Sequence, residues 1–204
     1  MKKITNKFIS VLNQFRLKNK DFTIISDNCW GNFMYEKVNL PYNSPFIGLF
    51  IYAEDYLKML DNLSYYLNQE LTFIEHSKWE DLMPNKNIIG TYPVGILDDI
   101  EIHFLHYKTA DEAYNKWNRR KDRINYNNLF IKISERALCK EEHIIKFNEL
   151  PYKNKVCFTK NKYPKLKSCV FLPECKNTPF VQDEWLHQKK YFDIVTWLDT
   201  GNFK

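Results

Sequence analysis

Glycine is scarce and carries no pattern. The 204 residues contain 5 glycines, and none falls into a GxGxxG, a Walker loop or a GxSxG elbow, so dinucleotide, P-loop and serine-hydrolase sites lack the backbone devices they need. The five cysteines, Cys29, Cys139, Cys157, Cys169 and Cys175, are odd in number and contain no CxxC pair, which argues for reduced thiols over a disulfide framework or a zinc ribbon. No stretch reaches the roughly 18 consecutive apolar residues that a spanning helix requires. Met1-Lys2-Lys3 begins as an export signal would, but Thr5, Asn6, Lys7, Asn13 and Gln14 interrupt the apolar segment such a signal contains. The expectation is a cytoplasmic protein, with peripheral membrane contact as the alternative placement. Internal repeats, low-complexity tracts and dividing linkers are missing too.

Acid is missing from residues 1–20, which hold Lys2, Lys3, Lys7, Arg16, Lys18 and Lys20 while the net charge of the chain is +5. Ile4, Phe8, Val11, Leu12 and Phe15 recur there at helical spacing. Residues 1–20 are therefore read as a basic amphipathic helix, and residues 21–204 as one domain. Such a helix packs on its own domain or lies on an anionic membrane surface. No nucleic-acid partner is expected, because no recognition motif accompanies the charge.

What is present is a core-forming composition, 44% hydrophobic and 16% aromatic. Phe22 to Ser26 reads as a buried strand, followed by a helix with Trp30, Phe33, Met34 and Val38 on one face and a stop at Pro41. Phe46 to Tyr52 is a second apolar run, and Glu54 and Asp55 then open a helix with Leu60, Leu63 and Leu67. Leu71 to Ile74 is a short strand, and Glu80 to Lys86 a loop around Pro84. Ile100 to Tyr107 alternates as a strand, with Glu101 and His103 on one face. Thr109 and Glu112 have capping-box spacing at the start of a helix through Ala113, Trp117 and Arg120. Strands at Leu129 to Ile133, Val156 to Thr159 and Cys169 to Leu172, a helix at Glu141 to Leu150 and a last element at Tyr191 to Leu198 complete the chain. This alternation predicts an α/β domain with a mainly parallel sheet of about six strands and flanking helices.

Ligands of such sheets gather beyond the carboxyl ends of the strands. Ser26-Asp27-Asn28-Cys29 takes that place after the first strand; Asp27 or Asn28 can cap the helix, and a thiol in a first helical turn has its thiolate favoured by free N–H groups. Cys29 is thus a candidate nucleophile, against the alternative of a small buried residue. The Cys29-Trp30 step resembles papain-like and transglutaminase-like thiol enzymes locally, although Thr23 stands where a papain-type enzyme carries its oxyanion glutamine. A base is available in His103 or His106, and Glu101 shares a face with His103. Asp98-Asp99 are adjacent, so their side chains diverge, and a turn is preferred to a metal site. Trp117-Asn-Arg-Arg-Lys-Asp-Arg123 places Arg119 and Arg123 four apart, suited to a phosphate or carboxylate, with Trp117 beside them for a sugar face. The competing reading is a solvated helix face.

Four segments, Asp21 to Gly31, Leu40 to Phe50, Glu101 to Tyr107 and Trp117 to Asn125, resemble the bacterial domain-of-unknown-function family DUF1919, from about Lys20 to Leu198. Members of that family are often labelled exopolysaccharide or capsule biosynthesis proteins. The resemblance implies work near cell-surface polysaccharide assembly on a phosphorylated or lipid-linked sugar, with no assigned catalytic residues or cofactor to carry over. Combined with the residues above, it yields the expectation of an enzyme that transfers a glycosyl or related group. Asp27, Cys29, His103 and His106 supply its chemistry, and Asn28, Trp30, Asn43, Ser44, Trp117, Arg119 and Arg123 bind the substrate. A Cys29-dependent transferase or hydrolase and a non-catalytic membrane-peripheral scaffold are the rival expectations.

Overall fold

The computed structural model describes residues 2–82 and 90–203, with side chains from Lys7 onward. Four short segments, β1 (Thr23–Ser26), β5 (Leu129–Ser134), β6 (Asn154–Thr159) and β7 (Cys169–Phe171), lie side by side in the order β1-β5-β6-β7, all parallel. Their residues alternate between two buried faces, as a pleated strand requires. Ile25, Ile131, Ile133 and Cys157 point into one hydrophobic cluster, and Ile24, Phe130, Val156 and Phe158 into the other. With both faces covered, the strands read as continuous apolar runs.

The first cluster is closed by α3 (Ala53–Asp61), α4 (Leu63–Asn68), α5 (Ala110–Lys121) and α6 (Glu141–Glu149). The second is closed by α2 (Trp30–Lys37) and α8 (Ile194–Thr200), with the four-residue α7 (Glu184–His187) ahead of α8 and α1 (Lys2–Arg16) lying against α2. The domain is therefore α/β, as the alternating pattern predicts.

The sheet itself differs from that expectation. Three further strands, β2 (Thr72–Ile74), β3 (Val94–Leu97) and β4 (Ile100–His103), form a separate antiparallel sheet. The physical reason is the two-residue turn Asp98-Asp99, which leaves Leu97 opposite Ile100 and so forces a hairpin. Asp98 sits in the left-handed region (φ 56°), Tyr65 and Tyr66 donate hydroxyls to Asp98 and Asp99, and Lys58 pairs with Asp99. Nor does Phe46 to Tyr52 become a strand: it touches the hairpin through one bridge, Phe50 to His103, and Ile51 N–H donates to the Asp27 carbonyl at 2.9 Å. Those two contacts join the small sheet to the carboxyl end of β1. Of the expected loop at 80–86, Glu80–Leu82 is a single 3-10 turn, and the remainder lies outside the described residues.

Candidate functional site

Beyond the carboxyl ends of β1 and β5 lies a buried ionic cluster. Lys132 follows Ile131 on β5 and so projects toward α2, where the pattern would otherwise place an apolar residue. Its ammonium is fully buried and donates to Asp27 Oδ1 at 2.9 Å, Asn28 Oδ1 at 3.0 Å and Glu184 Oε1 at 2.7 Å. An ammonium has three hydrogens, so it is saturated. Below it, 5.8 Å away, is the ring of Trp30.

Glu184 arrives from the far end of the chain. Val181 N–H bonds the Glu135 carbonyl at 2.9 Å, and Asp183 turns in the left-handed region (φ 46°), which drops Glu184 into the interior at the start of α7. Its two oxygens are treated unequally. Oε1 also accepts from the Asn28 amide at 2.8 Å and the Ser134 hydroxyl at 3.2 Å. Oε2 is buried and receives no hydrogen bond from the described residues; the guanidinium of Arg136, 28% exposed, stops 3.9 Å short of it.

Burial alone would raise the pKa of Glu184, but the charges of Lys132 and Arg136 and the bonds from Lys132 and Asn28 outweigh it and hold the carboxyl at about 2. Asp27, equally buried, is raised, since burial there exceeds the pull of Lys132. Its other oxygen accepts from Ser134 N–H at 3.2 Å. Asn28 Oδ1 also accepts from Trp30 N–H at 2.9 Å, capping the first turn of α2.

Cys29 stands between this cluster and the surface, half-buried, with its thiol donating to the Leu49 carbonyl at 3.6 Å. Burial pushes the thiol up to about 11, against the pull of Arg136 and Lys132. Among the described residues no histidine is hydrogen-bonded to it. His106 is exposed next door: its backbone N–H bonds the carbonyl of Gly48, the residue before Leu49. Gly48 is left-handed there (φ 71°), and a Cβ on it would meet Tyr107 at 3.0 Å and His106 at 3.3 Å.

His103 is placed elsewhere. It lies fully buried across the Phe50 bridge, ringed by Phe50, Tyr52 and Tyr92, with Nδ1 3.3 Å from the Tyr92 hydroxyl. Among the described residues Nε2 has no hydrogen-bond partner, and it is 3.7 Å from Glu101, whose carboxylate is taken by the Ser77 hydroxyl (2.5 Å) and Lys78 N–H (2.9 Å). Burial, then the Lys78 charge, lowers His103 to about 4, so it is neutral at pH 7. Glu101 does share its face, as alternation predicts.

The residues expected to bind substrate separate into several settings. Trp30 is fully buried among Phe158, Phe192 and Trp197 and donates its ring N–H to Gln188 at 2.7 Å. Trp117, 1% exposed, packs edge-on against Phe46 and Phe104 in the core, which leaves no sugar-stacking face open. Arg119 and Arg123 are exposed; Arg123 donates to the Tyr42 carbonyl at 3.3 Å. Two residues on, Asn125 bonds Thr23, and Thr23 bonds the Asn43 carbonyl. The arginine segment and Asn43 therefore stand at the amino end of β1, across the sheet from Cys29. Ser44 is buried and accepts from Phe46 N–H at 3.2 Å.

Sequence reasoning missed Lys132, Ser134, Arg136, Glu184 and Gln188. Lys132 had a signal, a lone cation within Leu-Phe-Ile-Lys-Ile-Ser. Glu184 had none, because nothing in Gln182-Asp183-Glu184-Trp185 distinguishes it from a solvated acid.

The family model described as domain of unknown function (DUF1919) matches residues 1–199. An uncharacterized protein of Haemophilus influenzae is similar, 38% identical over 199 residues that cover 94% of this chain and 91% of that protein. The chain belongs to the DUF1919 family, and the match takes in α1 as well as the segments from Asp21 onward.

Proposed function

We propose that the chain is a transferase acting on a phosphorylated sugar in cell-surface polysaccharide assembly, with its ligand beyond the carboxyl ends of β1 and β5. The observation that carries this reading is the bare oxygen of Glu184 facing Arg136. A buried acceptor without a donor costs about 1–3 kcal/mol, and the nearest partner is a cation out of hydrogen-bond range. With the partly exposed Arg136 side chain swung outward, a ligand hydroxyl reaches Oε2, and a phosphate on the same ligand engages the guanidinium. A sugar phosphate carries both groups. The surface-polysaccharide context comes from the family resemblance alone.

In this reading Glu184 orients a sugar hydroxyl and is too acidic to serve as base. The exposed His106 imidazole takes the proton of the acceptor hydroxyl. The acceptor oxygen bonds the sugar carbon as the bond from that carbon to the phosphate oxygen breaks. The departing phosphate keeps the electron pair and rests on Arg136.

Titration calorimetry with sugar phosphates and nucleotide sugars tests the site. Arg136→Ala should weaken binding by about tenfold or more, as expected for one charged hydrogen bond, while Cys29→Ser binds as the parent does. Binding of no anionic sugar by the parent, or equal binding by Arg136→Ala, would overturn the reading. Loss of binding in Cys29→Ser would transfer the site to the thiol, which its raised pKa argues against.

A further inference from the structure

The large apolar side chains left exposed among the described residues are concentrated on α1. Phe8 is 64% exposed, Ile9 45%, Leu12 45% and Phe15 80%. Phe8, Leu12 and Phe15 are spaced by four and then three residues, so they form one stripe along the helix. The opposite side holds the helix to the body: Asn13 donates its amide to the Lys37 carbonyl at 3.0 Å, and Leu17, just past the helix end, is buried. The stripe therefore faces away from the domain by construction, since the anchoring side is already used.

The charges that the segment itself carries have one sign. On the helical wheel Lys7 and Arg16 border the stripe on its two sides, and no acid occurs between residues 1 and 20. Arg16 and Lys18 line a cleft shared with Val195, Thr196, Asp199 and Thr200 of α8, where the Asp199 carboxylate accepts from the backbone N–H groups of Lys18 and Asn19. Immediately after α8, Asn202 and Phe203 border a second cleft of about 480 Å³ lined by Lys153, Lys155, Lys165 and Lys167. Lys155 donates to the Leu150 carbonyl, and none of these four lysines pairs with a carboxylate among the described residues.

A second copy of this chain would set the acid-free segment against the same cations. An anionic bilayer supplies an apolar layer for the stripe and opposite charge for its borders. We propose that α1 docks the protein on an anionic membrane surface, with Phe8, Leu12 and Phe15 entering the headgroup and acyl boundary and the flanking cations resting on lipid phosphates. This docking is independent of the sugar-phosphate reading.

Co-flotation of the full chain with phosphatidylcholine vesicles, with and without phosphatidylglycerol, tests it. Partitioning onto the mixed vesicles should exceed that onto the neutral ones by about tenfold or more and weaken as salt is raised. The double variant Phe8→Ser, Phe15→Ser should lose about tenfold or more of that partitioning, with an unchanged melting curve because both side chains are mostly exposed. Three results would overturn the proposal: no partitioning onto the mixed vesicles, equal partitioning by parent and variant, or a lipid-free, concentration-dependent dimer that the variant abolishes. The last would assign the stripe to a second copy.

Discussion

At Lys132 three hydrogens meet three acceptors from Asp27, Asn28 and Glu184. The energetics of such a cluster lie in what its removal leaves behind. Lys132→Met preserves most of the volume and strands two buried carboxylates, which should cost about 3–5 kcal/mol, read as a lower urea midpoint at unchanged slope. Parental stability in that variant would show that the carboxylates take up protons at little cost. Cys29 was legible as a residue at a strand end; its raised pKa was not, because it follows from how deeply the turn is covered. Lys132 was visible as an anomaly, yet its partners come from the turn after β1 and from α7, 52 positions downstream, and no local rule joins them.

At the scale of elements, most helices and strands follow their periodicity. The cap at α5 forms as its spacing indicates, with Thr109 accepting from Glu112 N–H at 3.1 Å, while Glu112 reaches back to Lys108 N–H instead of Thr109. The antiparallel hairpin depends on closeness that only one residue type permits. A Cβ on Gly95 would stand 2.7 Å from Leu71 Cδ1 and 2.8 Å from a Phe104 ring carbon. Gly95→Ala should therefore destabilise the fold by about 1–3 kcal/mol through overpacking of a filled core, measured by thermal or urea unfolding. An unchanged midpoint would mean that Leu71 and Phe104 move aside freely. A glycine inside a strand pattern signals such an approach, but not which side chains make it. Phe46 to Tyr52 has the apolar content of a strand and lacks a continuous neighbour along its length; pairing is a property of the partner, and here ladder pairing is confined to the bridge at Phe50.

For the whole molecule, the buried titratable groups set the response to acid. His103 takes its proton near pH 6.5 when unfolded and near 4 when folded. Between those values the unfolded chain binds more protons, so stability falls as pH drops from about 6.5 to about 4, by about 3 kcal/mol at most. Glu184, held at about 2, contributes stability that is present above its ordinary value of 4.5 and is lost as pH falls toward 2. Asp27, raised, works in the opposite direction: its contribution improves as pH falls through its raised folded value to its ordinary 3.8, which offsets part of the decline above that pH. Urea titrations at pH 7, 5.5 and 4 should show the first decline in the parent, and His103→Gln should start lower at pH 7 and decline less. Equal declines in the two proteins would remove His103 as the cause.

Periodicity and turn chemistry sufficed for the α/β class, the positions of β1, β5, β6 and β7 along the chain, the α5 cap and the placing of Asp27, Asn28 and Cys29 at a strand's carboxyl end, because each depends on neighbours within a few residues. The split into two sheets, the burial of Trp30 and Trp117, the parting of Arg119 and Arg123 from Cys29, and the meeting of Lys132 with Glu184 were decided by tertiary structure. Those outcomes depend on which distant segments compete for the same face of a sheet and on which charges burial forces to find one another.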